Sequence, residues 1–148
     1  MRDAFAQLTY RILHTMPEAE VLGCLVQEMV SAGKQVVIGM VRDPHFGPLL
    51  RLGVGGMYIE FLRDVAYRVA PLDRREAREM IQESGAHLLL QGRYSEPLAD
   101  VEALTEILLR LGQLASDFSE IVEFEISPLI VLEKGQGAVA VDIRVVLE

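Results

Sequence analysis

The sequence of 148 residues contains one cysteine, Cys24, and no tryptophan. A single cysteine cannot form an internal disulfide or a cysteine-based zinc cluster, so we expect a reducing compartment, the cytoplasm. No apolar run approaches the ~18 residues that a membrane span needs. The first ten residues carry charges where a signal peptide would have its apolar core. We therefore expect no association with a membrane.

Positive charge is also scarce. The chain has 14 Lys and Arg residues against 22 Asp and Glu residues, a formal net charge of −8, and its only lysines are Lys34 and Lys134. An acidic chain is a poor partner for nucleic acid, whose phosphates need a cationic face. A nucleotide site also needs cations for its phosphates. In this chain they must come from arginine, from a metal ion, or from a part of the site that the chain does not contain.

Apolar residues make up 51% of the sequence, enough for one compact domain. In the first half, helical spacing predicts a helix over residues 2–16, which Pro17 ends. Apolar, β-rich runs follow, with a predicted hairpin turn at residues 31–33. Cys24 lies in the first of these runs and is expected to be a buried, inert thiol. The predicted strands cover residues 21–30, 34–42, 48–54 and 57–70 and form a four-stranded meander.

In the second half the pattern becomes helical. Asp73 and Glu76 have the spacing of a capping box, and Gly85 is placed to end that helix. A second helix is predicted after Pro97, and two apolar strands, 121–132 and 138–147, flank a polar, glycine-containing turn. The order of elements predicts an α+β fold, in which helices pack on one face of a mostly antiparallel sheet.

The closing hairpin contains the most informative polar pattern. If its turn is centred near residues 134–135, Ser127 lies opposite Asp142, and Glu125 and Arg144 share their face of the sheet. Carboxylate and hydroxyl oxygens on adjacent strands suit a hard cation such as Mg²⁺. The same pattern also fits the solvated face of an edge hairpin. Periodicity alone leaves both interpretations open.

Other patterns in the sequence predict no site. The glycines within residues 53–56 are followed by neither a Lys-Ser/Thr pair nor a helix, so a strand corner or bulge is favoured over a phosphate loop. Metal-ligand spacing does not connect the three histidines, His14, His45 and His87.

Several stretches together resemble one family. They include Arg-Asp-Pro-x-Phe-Gly-Pro at 42–48, Asp-Val-Ala-x-Arg-x-Ala-Pro-Leu at 64–72, and Glu-Phe-Glu-Ile-Ser-Pro-Leu at 123–129. Nearly the whole chain resembles the ATP-grasp domain of ADP-forming acyl-CoA synthetases, also called acetate–CoA ligases, which are related to succinyl-CoA synthetase. The resemblance implies that residues 1–148 are a partial ATP-grasp domain, similar to its C-terminal subdomain, with the N-terminal lysine-bearing subdomain absent.

The resemblance also implies roles for individual residues. Four residues match the hinge strand whose backbone meets the adenine of ATP or ADP: Gln27, Glu28, Met29 and Val30. Gln35 replaces a glutamate that holds the ribose hydroxyls, and Ser127 replaces an asparagine that binds Mg²⁺. Asp142 matches the second magnesium ligand, and Arg144 follows it as in the family. With Glu125 beside Ser127, this favours a metal–phosphate site on the hairpin.

The implied function is the ATP/ADP–Mg²⁺ binding portion of an enzyme that converts acyl-CoA, ADP and phosphate to acid, CoA and ATP. That reaction passes through acyl-phosphate and phosphohistidine, and no catalytic residue is assigned to this chain. Its partners would be the absent subdomain and a CoA-binding domain or subunit. Since Gln35 and Ser127 depart from the family pattern, an alternative is a non-catalytic ligand-sensing module fused to a protein lysine acetyltransferase.

Overall fold

The computed structural model describes residues 2–30, 33–55, 64–92 and 96–148. These parts of the chain contain four helices and six strands, with the bounds that follow. The helices are α1 (Arg2–Thr15), α2 (Arg74–Glu83), α3 (Ala86–Leu90) and α4 (Val101–Asp117). The strands are β1 (Lys34–Asp43), β2 (Gly47–Val54), β3 (Ala66–Val69), β4 (Ile121–Val131), β5 (Ala138–Ala140) and β6 (Ile143–Leu147).

The six strands form one antiparallel sheet in the order β3-β2-β1-β4-β5. Strand β6 also pairs with β4: β5 pairs with its C-terminal part and β6 with its N-terminal part. The last long strand, β4, therefore lies beside the first, β1. Helices α2, α3 and α4 pack on one face of this sheet, so the α+β prediction is confirmed. The largest fully buried side chains come from both layers: Val36, Ile38, Met40, Leu50, Leu52, Met80, Ile81, Leu90, Leu104, Leu108, Leu129 and Val131.

The predicted first strand of the meander is wrong. Residues 21–30 form no strand, and Cys24, predicted to be buried, is exposed. The physical reason lies in β1, whose two edges are already paired with β2 and β4. A preceding strand therefore has no free edge of β1 to join. The predicted turn at 31–33 lies mostly outside the described residues, as do residues 57–63 of the predicted strand 57–70.

The helix ends confirm one prediction and correct another. Asp73 Oδ1 accepts from the backbone N–H of Glu76 at 2.7 Å, and Glu76 Oε2 accepts from the N–H of Asp73 at 2.8 Å, which is the predicted capping box. Gly85 does not end α2. Ser84 does so in extended backbone, and Gly85 precedes α3 with a φ of −57°. A Cβ at Gly85 would lie 2.9 Å from Asp64 Cβ, so close packing is what requires glycine there.

Helix α1 matches the predicted helix over residues 2–16, but none of its residues is buried. In the parts of the chain with described structure, no helix is both long and apolar enough to span a bilayer.

Arg42 joins β1 to the end of α4. Its Nε donates to the carbonyl of Ile121 at 3.1 Å, and its Nη2 donates to the carbonyls of Ala115 at 2.8 Å and Phe118 at 3.1 Å. The carbonyls at a helix C-terminus have no partner within the helix, and a cation there also interacts favourably with the helix dipole. Arg42 therefore fixes the angle at which α4 leads into β4.

Replacing Arg42 with methionine should lower the free energy of unfolding by about 2 kcal/mol, because the side-chain volume is kept while the charged donor is lost. Urea denaturation measures this change. The matched control is Arg110→Met, since Arg110 is exposed on α4 and its replacement should change stability by less than about 0.5 kcal/mol. Equal losses in the two variants would contradict the assignment.

Candidate functional site

The closing hairpin has the predicted register. The backbone N–H of Ser127 donates to the carbonyl of Asp142 at 3.1 Å, and Glu125 pairs with Arg144. At the turn, the N–H of Leu132 donates to the carbonyl of Gly137 at 3.0 Å. The prediction that Ser127 and Asp142 lie opposite each other is confirmed.

The polar residues of the hairpin lie on the sheet face opposite the helices, called here the open face. Across four strands of this face, Arg51, Gly39, Glu125 and Arg144 lie in one row. Arg51 forms an ion pair with Glu125 across β1. Arg144 lies 3.6 Å from the carboxylate of Glu123 on the same face. The open face therefore carries alternating charges next to the Ser127–Asp142 pair.

Ser127 and Asp142 present two oxygen-bearing side chains that could receive a hard cation. Ser127 is half-buried and Asp142 is exposed. Among the described residues, no side chain or backbone N–H donates to the Asp142 carboxylate. Glu125 differs, because Arg51 already neutralises its carboxylate. The described residues contain no group of three or more His, Cys, Asp or Glu side chains arranged for a metal ion.

The residues expected to meet adenine line an open pocket of about 420 Å³. One wall is the segment Gln27, Glu28, Met29 and Val30, and the facing wall consists of Leu132 and residues 139–141. The backbone of residues 27–30 makes no hydrogen bond to other described backbone groups, so its N–H and C=O groups remain for a ligand. The volume is in the range of small-molecule sites, ~300–1,000 Å³.

Gln35 lies near this pocket without lining it. It is exposed on β1 and pairs with Ile130, which in turn pairs with the pocket residue Val139. One strand therefore separates Gln35 from the pocket wall. Asp142 is adjacent to the pocket, because it directly follows Val141, which belongs to the pocket wall. The structure brings the predicted adenine segment and the Ser127–Asp142 pair to the same edge of the sheet.

Sequence reasoning did not identify Asp100, which anchors the hairpin turn to α4. Its Oδ1 accepts from the N–H of Ala103 at 3.1 Å, and its Oδ2 accepts from the N–H groups of Gly135 and Gly137, both at 2.9 Å. The side chain is buried, and these bonds, the one from Gly137 foremost, hold the pKa of the Asp100 carboxyl below its usual value. An aspartate just before a helical pattern is a recognisable N-cap signal, but its second attachment to a turn 35 residues later is not.

Arg51 was also missed. It occurs in an apolar stretch, and only the pairing of β2, β1 and β4 brings it to Glu125. The helices do not cover the apolar side of β6, where Ile143 and Leu147 are 57% and 63% exposed. Helices α2–α4 pack over the strands from β3 to β4 and stop short of β6.

Comparison with known proteins gives a consistent result. A family model for the ATP-grasp domain matches residues 1–147. The chain is 42% identical over 147 residues to the ADP-forming acetate–CoA ligase I of Archaeoglobus fulgidus. This match covers 99% of the chain and 21% of the ligase. It is 38% identical over 146 residues to the β subunit of the ADP-forming acetate–CoA ligase I of Pyrococcus furiosus, covering 99% of the chain and 62% of that subunit.

Among solved structures, the chain is similar to the dinucleotide-forming acetyl-coenzyme A synthetase 1 of Ca. Korarchaeum cryptofilum. In a complex with coenzyme A, acetyl-coenzyme A and a phosphorylated phosphohistidine segment, the identity is 38%, the TM-score is 0.89, and the match covers 99% of this chain and 65% of that one. In a complex with coenzyme A and Mg-AMPPCP, the identity is 39% and the TM-score is 0.78, and the match covers 82% of this chain and 56% of that one. The chain thus spans about a fifth to three fifths of the length of the curated relatives that it matches.

Proposed function

The chain belongs to the ATP-grasp domain family, and from that premise we propose that it is the nucleotide-binding part of an ADP-forming acyl-CoA synthetase. The complete enzyme would convert acyl-CoA, ADP and phosphate to acid, CoA and ATP, through acyl-phosphate and phosphohistidine. The observation that carries this proposal is one juxtaposition. The wall of the 420 Å³ pocket formed by residues 139–141 continues directly into Asp142, which lies opposite Ser127.

This arrangement suits the two ends of a nucleotide. The backbone groups of Gln27, Glu28, Met29 and Val30, which make no hydrogen bond to other described backbone groups, would meet the polar edge of adenine. The walls of the pocket would contact the two faces of the ring. The phosphates would then extend over the open face, towards Ser127 and Asp142. Gln35, exposed on the same face, would contact the ribose hydroxyls through its amide, without the charge that strengthens such bonds.

Asp142 and Ser127 fit a magnesium ion, because Mg²⁺ takes one or two protein oxygen ligands and completes its shell with phosphate and water. Mg²⁺ supplies positive charge to the phosphate oxygens when it is bound. Asp142 contributes the ligand charge, and Ser127 orients the ion directly or through water. Glu125 would contact the ion by giving up its ion pair with Arg51, and Arg144 would face the phosphates. The complex of the similar Korarchaeum protein with Mg-AMPPCP supports this pairing of nucleotide and metal.

The remaining parts of the reaction belong to partners. Since the chain spans 62% of the Pyrococcus β subunit and 21% of the Archaeoglobus enzyme, we propose that a lysine-bearing ATP-grasp subdomain and a CoA-binding domain or subunit complete the site. Synthetase activity is therefore not expected from residues 1–148 alone. The single cysteine is consistent with a cytoplasmic enzyme. The alternative, a sensing module of an acetyltransferase, gains no support from these relatives, which are ligases.

The pocket provides the test of nucleotide binding. Titration calorimetry of the 148-residue chain with MgATP should give a weak Kd, in the range of about 1 mM, because half a cleft encloses little of the ligand. Val141→Trp should fill the pocket and weaken binding by about tenfold or more, which corresponds to about 1.4 kcal/mol. Val145→Trp is the matched control. Val145 lies in β6, four residues after Val141, is 49% exposed against 41% for Val141, and does not line the pocket.

The two tryptophan variants separate pocket binding from a general effect of an added ring. Unchanged affinity in Val141→Trp, with the fold intact by circular dichroism, would rule out this pocket as the adenine site. The absence of any MgATP binding by the unmodified chain would count against the whole assignment.

A further inference from the structure

Arg51 crosses the open face of the sheet from β2 to β4. We propose that it is a phosphate-binding residue, which exchanges its ion pair with Glu125 for the terminal phosphates of the nucleotide. This inference rests on the proposed function and adds a cation to it. Neither lysine lies in the row of Arg51, Gly39 and Glu125. Lys34 is at the start of β1, opposite Val131, and Lys134 lies in the turn between β4 and β5.

Gly39 gives Arg51 its path. The two residues are paired across β1 and β2, and a Cβ at Gly39 would lie 3.1 Å from Arg51 Cγ and 3.3 Å from Arg51 Cδ. The absence of a side chain at Gly39 therefore lets the aliphatic part of the arginine lie flat on the sheet. Its guanidinium consequently reaches Glu125, which pairs with Gly39 from the other side.

The guanidinium retains capacity for a second partner. Its Nη2 donates to Glu125 Oε2, and no other hydrogen bond from Arg51 to a described residue is formed. A guanidinium has several N–H donors in a planar fork that matches phosphate oxygens. The side chains of Arg51 and Glu125 are 41% and 33% exposed, so a ligand on the open face can approach both. Arg51 is thus held in place by Glu125, while other N–H donors of its guanidinium have no acceptor among the described residues.

The distance to the proposed metal ligands is suitable for a phosphate chain. Glu125 and Ser127 are two residues apart on β4 and lie on the same face, which places them roughly 7 Å apart. Ser127 is in turn opposite Asp142. Phosphates bound through a cation at Ser127 and Asp142 would therefore lie within reach of Arg51, and Glu125 would compete with them for the guanidinium.

This competition predicts that substitutions of the two paired residues, Arg51 and Glu125, change the affinity for a phosphate ligand in opposite directions. Binding of inorganic pyrophosphate to the 148-residue chain is measured by NMR titration in EDTA, so that metal coordination does not contribute. Arg51→Met should weaken binding about tenfold, because a charge-assisted contact is lost. Glu125→Gln should tighten it, because the competing carboxylate is removed. Arg68→Met is the matched control, since Arg68 also forms an arginine–glutamate pair, with Glu83 at 2.7 Å on the helix side.

Adenosine and ATP titrations separate this inference from the proposed function. Arg51→Met should weaken ATP binding and leave adenosine binding unchanged. Loss of pyrophosphate affinity in both Arg51→Met and Glu125→Gln would overturn the exchange and show that Arg51 only positions Glu125. Equal pyrophosphate affinity in Arg51→Met and the unmodified chain would overturn the inference while ATP binding still supports the proposed function. Failure of both adenosine and ATP to bind would overturn the proposed function itself.

Discussion

Replacing Asp142 with alanine is expected to reduce magnesium-dependent nucleotide turnover by about 100-fold or more in the full-length synthetase that we propose contains this chain. The carboxylate is the charged member of the Ser127–Asp142 pair, and serine alone cannot supply that charge. Folding should be almost unaffected, because Asp142 is exposed and its carboxylate has no donor among the described residues. Steady-state ATP formation and thermal unfolding measure the two effects separately.

Two further variants sharpen this test. Ser127→Asn should preserve or raise turnover, because it restores the asparagine that the family resemblance implies as a magnesium ligand at this position. Asp117→Ala removes an exposed carboxylate at the end of α4, whose one hydrogen bond within the described structure comes from Gln113, and turnover should stay unchanged. An active Asp142→Ala enzyme would show that the carboxylate does not carry the metal.

Replacing Asp100 with alanine is expected to lower the free energy of unfolding by about 3 kcal/mol. The loss exceeds that of an ordinary N-cap, because the N–H groups of Gly135 and Gly137 lose their acceptor together with the N–H of Ala103. Asp100→Asn should cost nearly as much, since one amide oxygen cannot replace both carboxylate oxygens. Urea denaturation of the 148-residue chain measures both variants.

The control for this prediction is Asp73→Ala. It removes an N-cap whose side chain accepts one hydrogen bond from the described residues, that of the Glu76 N–H, and its cost should be about 1 kcal/mol. The pH dependence provides an independent check. Because the folded state lowers the pKa of Asp100, its contribution is fully present above the unfolded-state pKa of about 3.9 and is lost as pH falls through the folded-state pKa. The stability difference between the native chain and Asp100→Asn should therefore shrink below about pH 4. A difference that grows with acid would contradict this sign.

The parts of the fold that were predictable depend on local chemistry. The hairpin register followed from the glycine-containing turn, and Gly135 and Gly137 indeed adopt positive φ angles of 85° and 84°. The capping box at Asp73 and Glu76 likewise involves residues three positions apart. In each case the determining contacts lie within one turn of the chain, where a sequence pattern is informative.

The parts that were not predictable depend on strand order. Residues 21–30 have the composition of a strand, but whether a strand forms depends on a free edge, and β4 occupies the edge of β1 that they would need. The same non-local pairing brings Arg51 to Glu125 and gives Asp100 its second set of donors. The roles of Gln35, Ser127 and Arg144 rest on resemblance, since no local pattern specifies a ligand.

The position of β4 beside β1 also has a consequence for how the chain folds. Ile38 pairs with Ile126, so most of the chain lies between the two central strands of the sheet. During synthesis, β1, β2 and β3 leave the ribosome with one edge of β1 unpaired, and the core closes only when β4 follows them. High contact order of this kind slows folding and exposes a strand edge that can pair with other chains. The late arrival of β4 therefore makes the nascent chain vulnerable to aggregation from the synthesis of β1 until β4 has paired with it.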